Sequence, residues 1–185
     1  MILSTRYLLL LALTTGMRFA ELVGLTRDDF DFKRNEIRIN KTWGYTNTMH
    51  EGFGATKNEQ SVRAIKVDSH TMEVFNTWFD QTRNNIHGLV FFSPQSKYKV
   101  ISNNAANKEL ENLLIELGIE PISVHGLRHT HASVMLYKGI SIYYVSERLG
   151  HGDIETTLSH YAHIVKELRE KDENTTTSLF ERMAN

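Results

Sequence analysis

Apolar residues recur every three or four positions along most of the chain, which is the pattern of helices with one buried face. The clearest case precedes Gly16, where Tyr7 and several leucines fall on one face and the glycine suits a helix end. From residue 123 onward the pattern continues, and Gly139 and Gly150 mark two further helix ends. The predicted helices cover residues 7–15, 18–25, 69–79, 102–117, 124–138, 141–149 and 153–160.

Strand patterns are concentrated toward the N-terminal side of the chain. Apolar and polar residues alternate around Ile37 and Ile39 and again from Val62 to Val67, with a basic segment before the second run. Residues 44–54, rich in Gly, Asn, His and Thr, are expected to form a loop. These runs predict a small antiparallel sheet with a hairpin near the N-terminal third. The expected fold class is therefore α+β and mainly helical.

Length and composition indicate one globular domain with an ordinary core. A domain of 185 residues buries roughly 70% of its unfolded surface. The chain has no cysteine, which excludes disulfides and thiolate metal sites. Its longest apolar run, from Tyr7 to Leu13, is too short to cross a bilayer, and no secretory signal pattern opens the sequence. We therefore expect a cytoplasmic protein that does not enter a membrane.

The charge balance bears on nucleic-acid binding. The net charge is −1, whereas DNA-binding domains are normally basic. The basic residues are clustered, however: residues 33–66 contain seven against three acidic ones, and residues 81–108 contain four and no acidic one. A basic face on a neutral molecule suffices for local phosphate contacts. Tight duplex binding by this chain alone is not expected.

The candidate chemistry lies in four separated blocks, residues 15–22, 124–133, 149–151 and 159–163. Their functional side chains are two arginines, two histidines and a tyrosine, namely Arg18, His125, Arg128, His151 and Tyr161. A guanidinium donates two parallel hydrogen bonds to phosphate oxygens, and a phenolic oxygen can attack phosphorus. His125 and Arg128 are three residues apart, so one helix face can offer both to a single phosphate. This set is suited to holding and cleaving a phosphodiester.

Plainer structural interpretations compete with that chemistry. Arg18 would pair readily with Glu21, three residues further on, as a surface ion pair. Tyr161 taken alone would be a half-buried core tyrosine. His129 and His131 are expected to be structural, with their ring nitrogens satisfied by helix packing or by the backbone.

A metal site is the other alternative, because six of the nine histidines fall within residues 125–163. The i, i+4 spacing of His125 and His129 is compatible with zinc. No glutamate follows His125, however, and Arg128 would place a fixed positive charge beside the ion. We therefore expect neither a metal nor any other cofactor.

In their order and content, these blocks resemble the catalytic domain of tyrosine recombinases, the family of phage and transposon integrases. The resemblance extends from about Leu8 to His163. It implies a site-specific DNA recombinase that cleaves and rejoins strands of double-stranded DNA through a 3′-phosphotyrosyl link. That link conserves the bond energy, so neither ATP nor a metal is required. For a bacterial mobile element, it also implies location at the nucleoid.

The resemblance implies a role for each residue of the blocks. Tyr161 attacks the scissile phosphate, and Arg18 and Arg128 stabilise its non-bridging oxygens. His125 and His151 hydrogen-bond the phosphate, and His125 is the expected acceptor of the Tyr161 proton.

The family also places a lysine of the hairpin in the active site, where it protonates the leaving oxygen. The segment from Thr56 to Arg63 resembles that hairpin and supplies Lys57. A solvated hairpin lysine is the plainer interpretation, and Lys41 and Lys66 lie nearby.

Two other classes remain open. A type IB topoisomerase-like strand transferase uses similar chemistry without exchanging strands, although the short linkers fit an integrase better. A non-catalytic DNA-binding module is the second.

The domain organisation departs from the family pattern. Family members usually carry a helical DNA-binding domain before the catalytic one, whereas here the first predicted helix follows almost directly on Met1. We expect an excised fragment in which residues 1–173 are the catalytic domain. Leu179, Phe180 and Met183 are spaced like one apolar helix face. Residues 174–185 are therefore expected to form a tail helix. The resemblance to the family implies that this helix docks in trans on a neighbouring protomer of a DNA-bound tetramer.

Overall fold

The computed structural model describes residues 2–45 and 49–183. Within these ranges the elements in chain order are α1 (Ile2–Thr15), α2 (Phe19–Val23), β1 (Phe30–Asp31), β2 (Glu36–Ile39), β3 (Thr42–Tyr45), β4 (Met49–Gly54), β5 (Arg63–Lys66), α3 (Ser69–Gln81), α4 (Asn103–Glu116), α5 (Val124–Tyr137), α6 (Ile142–Leu149) and α7 (Ile154–Met183). The predicted α+β, mainly helical class is confirmed. None of the described helices combines the length and apolar character needed to cross a bilayer.

Local side-chain chemistry sets the helix boundaries. Asp68, Ser102 and Ser123 each accept a hydrogen bond from the backbone N–H three residues further on, at 2.8, 3.2 and 3.1 Å. Gly16 and Gly150 both have φ of 67°, a conformation that glycine adopts without steric penalty, and they follow the last residues of α1 and α6. The predicted ends of these two helices are therefore confirmed.

In the described part of the chain, five strands form two small antiparallel sheets. One has the order β1-β2-β5, with Ile37 paired to Phe30 on one side and to Ile65 on the other. The other is the β3–β4 hairpin, in which Trp43 pairs with Phe53. The prediction of a loop over residues 44–54 was wrong, because residues 49–54 form β4; residues 46–48 lie outside the described ranges. The two glycines of β4 hide any alternation, and its pairing is stabilised by the edge-to-face contact of Trp43 with Phe53, at 4.9 Å.

A large hydrophobic core joins α1–α4 and the start of α5 to the three-stranded sheet. Tyr7 stacks on Trp78 with ring centroids 4.5 Å apart, and Phe75 is fully buried beside them. The aromatic face of α3 is therefore part of the core. A second, smaller cluster joins α5, α6 and α7 through Ala132, Leu136, Val145, Leu149 and Tyr161.

The last helix departs most from expectation. A break was predicted near residue 160, and Tyr161 does have non-helical angles, with φ of −116° and ψ of 19°. The helix then resumes and continues to Met183, so the described tail residues 174–183 are its last turns and do not form a separate element. The tail side chains of Leu179, Phe180 and Met183 are all exposed.

Candidate active site

The C-terminal end of α6 is the centre of the candidate site. A helix end leaves carbonyls without helical partners and carries a partial negative charge. The carbonyls of residues 148, 149 and 150 each accept a hydrogen bond from a different arginine: Arg63 Nε at 2.7 Å, Arg128 Nη2 at 2.9 Å and Arg18 Nη2 at 2.9 Å. Three guanidiniums from distant parts of the sequence therefore converge on one helix end.

Arg128 is the most deeply buried of these cations, with 3% of its surface exposed. Its Nη1 donates to the carbonyl of Gly16 at 2.7 Å, so the side chain joins the end of α1 to the end of α6. A Cβ at Gly16 would lie 2.7 Å from the ring of His131, which explains why this position requires glycine. Burial lowers the pKa of Arg128 to about 9, and the nearby Arg18 cation acts in the same direction. The group nevertheless remains charged at neutral pH.

Arg18 and Arg63 share one buried carboxylate. Glu21 accepts from Arg18 Nη1 at 2.9 Å and from Arg63 Nη2 at 3.0 Å, and only 2% of it is exposed. Burial raises the pKa of Glu21, but the two arginines outweigh burial and hold that pKa below its usual value. The Arg18–Glu21 pair expected from the sequence exists, but it is part of the site and not a surface pair. Arg18 Nη1 also reaches the hydroxyl of Ser61, at 3.3 Å.

His151 directly follows the carbonyls that bind the arginines. Its Nδ1 lies 2.6 Å from the hydroxyl of Thr157, a fully buried residue of α7. Burial lowers the pKa of His151 to about 4, and the charges of Arg128 and Arg18 add to the effect. His151 is therefore neutral at physiological pH, and the Thr157 hydroxyl helps to fix its ring orientation.

The hydroxyl of Tyr161 faces α5. Its oxygen lies 2.9 Å from Nδ1 of His129, and only 3% of the residue is exposed. Burial raises the pKa of Tyr161, whereas Arg128 partly opposes the shift. His125 lies one turn earlier on α5, exposed to solvent, with its ring centroid 4.8 Å from that of His129. The structure therefore brings Tyr161, His125 and Arg128 to one side of α5.

Lys57 lies in the short segment between β4 and the 3₁₀ turn at residues 59–61. Its side chain is exposed, and no hydrogen bond or ion pair joins Nζ to any residue that the structure describes. The next residue, Asn58, accepts from the backbone N–H of Ser61, the residue whose hydroxyl contacts Arg18. The Lys57 segment thus adjoins the site. By contrast, Lys41 Nζ binds Asp29 at 2.6 Å and Lys66 Nζ lies 3.2 Å from a Glu36 oxygen.

His131 and Arg148 form hydrogen bonds that join the elements carrying the site. His131 Nδ1 donates to the carbonyl of Leu13 at 2.9 Å, and its Nε2 accepts from Arg148 Nε at 3.0 Å. Arg148 also donates to the carbonyls of Lys66 and Thr14, which joins α6 to β5 and α1. Burial lowers the pKa of His131 to about 4, and the Arg148 cation contributes. The expectation that His131 is structural agrees with these contacts.

Several residues of the site had no sequence signal of their own. Arg63 was noted only as the end of a basic segment, and nothing marked Thr157 or Ser61 as partners of His151 and Arg18. His129 was expected to be structural, yet it contacts the hydroxyl of the candidate nucleophile. Among the residues that the structure describes, no group of three histidine, cysteine or acidic side chains is arranged to hold a metal ion.

Comparison with known proteins identifies relatives for this arrangement. Residues 2–167 match the model of the phage integrase family. The chain is 31% identical to the integrase of Staphylococcus phage L54a, over 83% of this chain and 46% of the relative. It is 26% identical to a tyrosine recombinase XerC-like protein of Caldanaerobacter subterraneus, over 94% of this chain and 49% of the relative. The chain thus spans about half the length of these curated relatives.

Solved structures show the same fold. The Tn1549 transposon integrase in complex with transposon right end DNA superposes with a TM-score of 0.70 at 20% identity, over 91% of this chain and 57% of that one. The XerA recombinase superposes with a TM-score of 0.66 at 17% identity, over 91% of this chain and 61% of that one.

The buried histidines predict how stability depends on pH. The folded-state pKa of His131 is about 4, below its ordinary 6.5, so the unfolded chain binds this proton first as the pH falls. The free energy of unfolding should therefore decrease as the pH falls from about 6.5 to about 4. Below that range, protonation of His131 should make no further contribution to the pH dependence. Denaturant titrations at a series of pH values measure the slope.

His131→Gln should reduce that slope, because glutamine does not titrate. Part of the slope that remains in this variant should come from protonation of His151. His70→Gln, at an exposed position of α3, is the matched control and should leave the slope unchanged. An unaltered slope in His131→Gln would contradict the assignment.

Proposed function

The chain belongs to the phage integrase family, and from that premise we propose that it is the catalytic domain of a site-specific DNA recombinase. One observation carries the proposal. Arg18 and Arg128 are bound to adjacent carbonyls at the end of α6, and His151 is the next residue in the chain. Two oriented guanidiniums beside a neutral imidazole match the hydrogen-bonding needs of a phosphodiester.

The proposed reaction is a transfer of the phosphoryl group from a DNA oxygen to Tyr161. The phenolic oxygen attacks phosphorus and forms a 3′-phosphotyrosyl bond, while the bond to the 5′ oxygen breaks. Arg18 and Arg128 stabilise the charge on the non-bridging oxygens. Arg128 uses only some of its five N–H donors in the hydrogen bonds to the two carbonyls, so other donors can bind phosphate. His125 and His151 donate further hydrogen bonds to the phosphate.

The phosphotyrosyl bond stores the energy of the broken phosphodiester. A 5′-hydroxyl from a second strand can therefore attack it and release Tyr161, without ATP or a metal ion. We propose double-stranded DNA as the substrate, which places the protein in the cytoplasm at the bacterial nucleoid. Two solved complexes of similar fold support this substrate: the Tn1549 transposon integrase with transposon right end DNA, and the XerH site-specific recombinase bound to a palindromic difH substrate.

We further propose that residues 1–173 act as the catalytic domain and that residues 174–185 dock on a neighbouring protomer within a DNA-bound tetramer. Leu179, Phe180 and Met183 support the docking role, because an apolar helix face left in water is an interaction surface. Ala184 and Asn185 lie outside the described residues.

The nucleophile gives the first test. Tyr161→Phe removes one hydroxyl and should abolish covalent adducts, because no attacking oxygen remains. Folding should persist, with a stability loss of about 1 kcal/mol from the lost hydrogen bond. The protein is incubated with end-labelled, nicked duplexes of randomised sequence, and covalent adducts are measured by denaturing electrophoresis. Cleavage near the nick releases a short product strand that diffuses away, so the adduct cannot be rejoined. Tyr137→Phe, at an exposed position of α5, is the control and should form adducts normally. Adducts formed at the same rate by Tyr161→Phe would refute the assignment.

Lys57 gives the second test. Expulsion of a 5′ alkoxide needs a proton, so Lys57→Ala should slow adduct formation about 10²–10⁴-fold with little change in DNA binding. Replacing the bridging 5′ oxygen by sulfur removes that need, since a thiolate leaves without protonation. On the sulfur substrate Lys57→Ala should recover, whereas Arg128→Ala should stay slow.

Lys108→Ala, at an exposed position of α4 to which no role in the site is assigned, is the matched control and should keep the normal rate. If Lys57→Ala remains slow on the sulfur substrate, its role is to hold the phosphate. If Lys57→Ala forms adducts at the normal rate on ordinary DNA, Lys57 is excluded from the site, and Lys66 is the next lysine to test.

The tail gives the third test. Leu179→Ser combined with Phe180→Ser should weaken assembly on DNA by removing the apolar face, while single-strand cleavage and the unfolding transition stay unchanged. Both side chains are more than half exposed, at 55% and 63%, so the domain's own core does not need them. Electrophoretic mobility of DNA complexes measures assembly, and Ile86→Ser, another exposed apolar position, is the control. A lowered unfolding transition would show instead that the tail packs on its own domain.

A further inference from the structure

The proton of the Tyr161 hydroxyl must be removed when its oxygen becomes a nucleophile. The hydroxyl is buried and lies 2.9 Å from Nδ1 of His129. A general base has to be within hydrogen-bond reach of the proton that it takes, roughly 2.6–3.2 Å between heavy atoms. His129 meets this requirement, and it is the hydrogen-bond partner of Tyr161 in the described part of the chain.

We propose that His129, and not His125, accepts the proton of Tyr161 during DNA cleavage. This inference rests on the proposed function, because it names the base for the same reaction. His129 is a catalytic residue in this sense, since it touches the reacting oxygen. His125 is left free for the phosphate, as its exposed ring lies on the adjacent turn of the same helix.

Cleavage and joining each involve two proton transfers, one at the Tyr161 oxygen and one at the 5′ oxygen. As the Tyr161 oxygen bonds to phosphorus, its proton passes to Nδ1 of His129, while the bond to the 5′ oxygen breaks and Lys57 protonates that oxygen. In the joining step a 5′-hydroxyl attacks the phosphotyrosyl bond and gives its proton to Lys57. The imidazolium of His129 then returns its proton to the departing phenolate.

The surroundings of His129 favour the basic form that this role needs. His125 and Arg128 adjoin it on α5, and His160 and Tyr161 face it from α7, with the His160 ring stacked at 6.1 Å. Burial lowers the pKa of His129, and His160 and Arg128 lower it further. The ring is therefore neutral at physiological pH, and Nδ1 can accept when the ring proton is on Nε2.

The first experiment measures single-turnover adduct formation against pH on the sulfur-substituted substrate. Leaving-group protonation is not needed there, so the acid limb of the profile reports the base. Wild type should lose rate below pH 6.5, as His129 becomes protonated. His129→Gln keeps a hydrogen-bonding side chain but cannot take a proton. It should be slower by about 10²-fold or more and should lack the acid limb.

Two control variants distinguish proton acceptance by His129 from other effects on the rate. His125→Gln should slow the reaction through the phosphate but keep the acid limb, and His70→Gln should match wild type. Added imidazole should restore part of the rate to His129→Ala. If His129→Gln keeps the wild-type rate and profile, or if His125→Gln is the variant that loses the limb, the inference is overturned while the proposed function stands. If the wild-type protein forms no adduct, the proposed function itself is overturned.

A second measurement does not depend on activity. The ¹⁵N shifts of the His129 ring in the free protein report which nitrogen carries the proton. We expect an unprotonated Nδ1 that accepts a hydrogen bond in wild type and changes its shift in Tyr161→Phe. A ring that carries its proton on Nδ1 could not accept another there, and this result would overturn the inference.

Discussion

The carbonyls of Arg148, Leu149 and Gly150, at the C-terminal end of α6, are the feature on which the rest of the site depends. Unpaired carbonyls at a helix end attract cations, and here each is bound by one of Arg63, Arg128 and Arg18. Because these arginines come from β5, α5 and the start of α2, one helix end fixes the relative positions of all three. The guanidiniums are therefore oriented by folding itself. A phosphate would meet groups that need little rearrangement, which is the basis of electrostatic catalysis.

The same arrangement concentrates positive charge to an extent that folding alone does not require. Two of the three arginines, Arg18 and Arg63, are ion-paired with the buried carboxylate of Glu21. The third, Arg128, binds carbonyls, and its pKa falls to about 9 as a result of burial and of its cationic neighbour Arg18. An anion placed among them would relieve this repulsion, which favours a phosphodiester over a neutral ligand. The cations also help burial to keep nearby imidazoles uncharged. The site thus combines fixed cations with neutral histidines, whose rings can each donate one hydrogen bond and accept another.

Sequence patterns were sufficient for the fold class, and they singled out Arg18, Arg128 and His151, which the structure brings together at the end of α6. They failed where a role depends on the packing of distant segments. Arg63 is 42 residues from Glu21 in sequence, and nothing local indicates that the two share a buried ion pair. His125 and His129 are one helical turn apart on the same face. Which of them reaches the Tyr161 hydroxyl depends on how α7 crosses α5, and that is a property of tertiary packing alone.

The two halves of the site are supported by different parts of the core. The groups that would bind phosphate are fixed to the large core through α1, α2 and β5, whereas Tyr161 belongs to the small cluster and lies at the break in α7. Fewer apolar contacts therefore hold Tyr161 than hold the arginines, and local stability follows such contacts. A change in the packing of α7 would move Tyr161 without disturbing the cations. Leu149 is the exception, because its side chain packs in the Tyr161 cluster while its carbonyl binds Arg128. The end of α6 thus links the position of Tyr161, the proposed nucleophile, to the arginines that are proposed to bind phosphate.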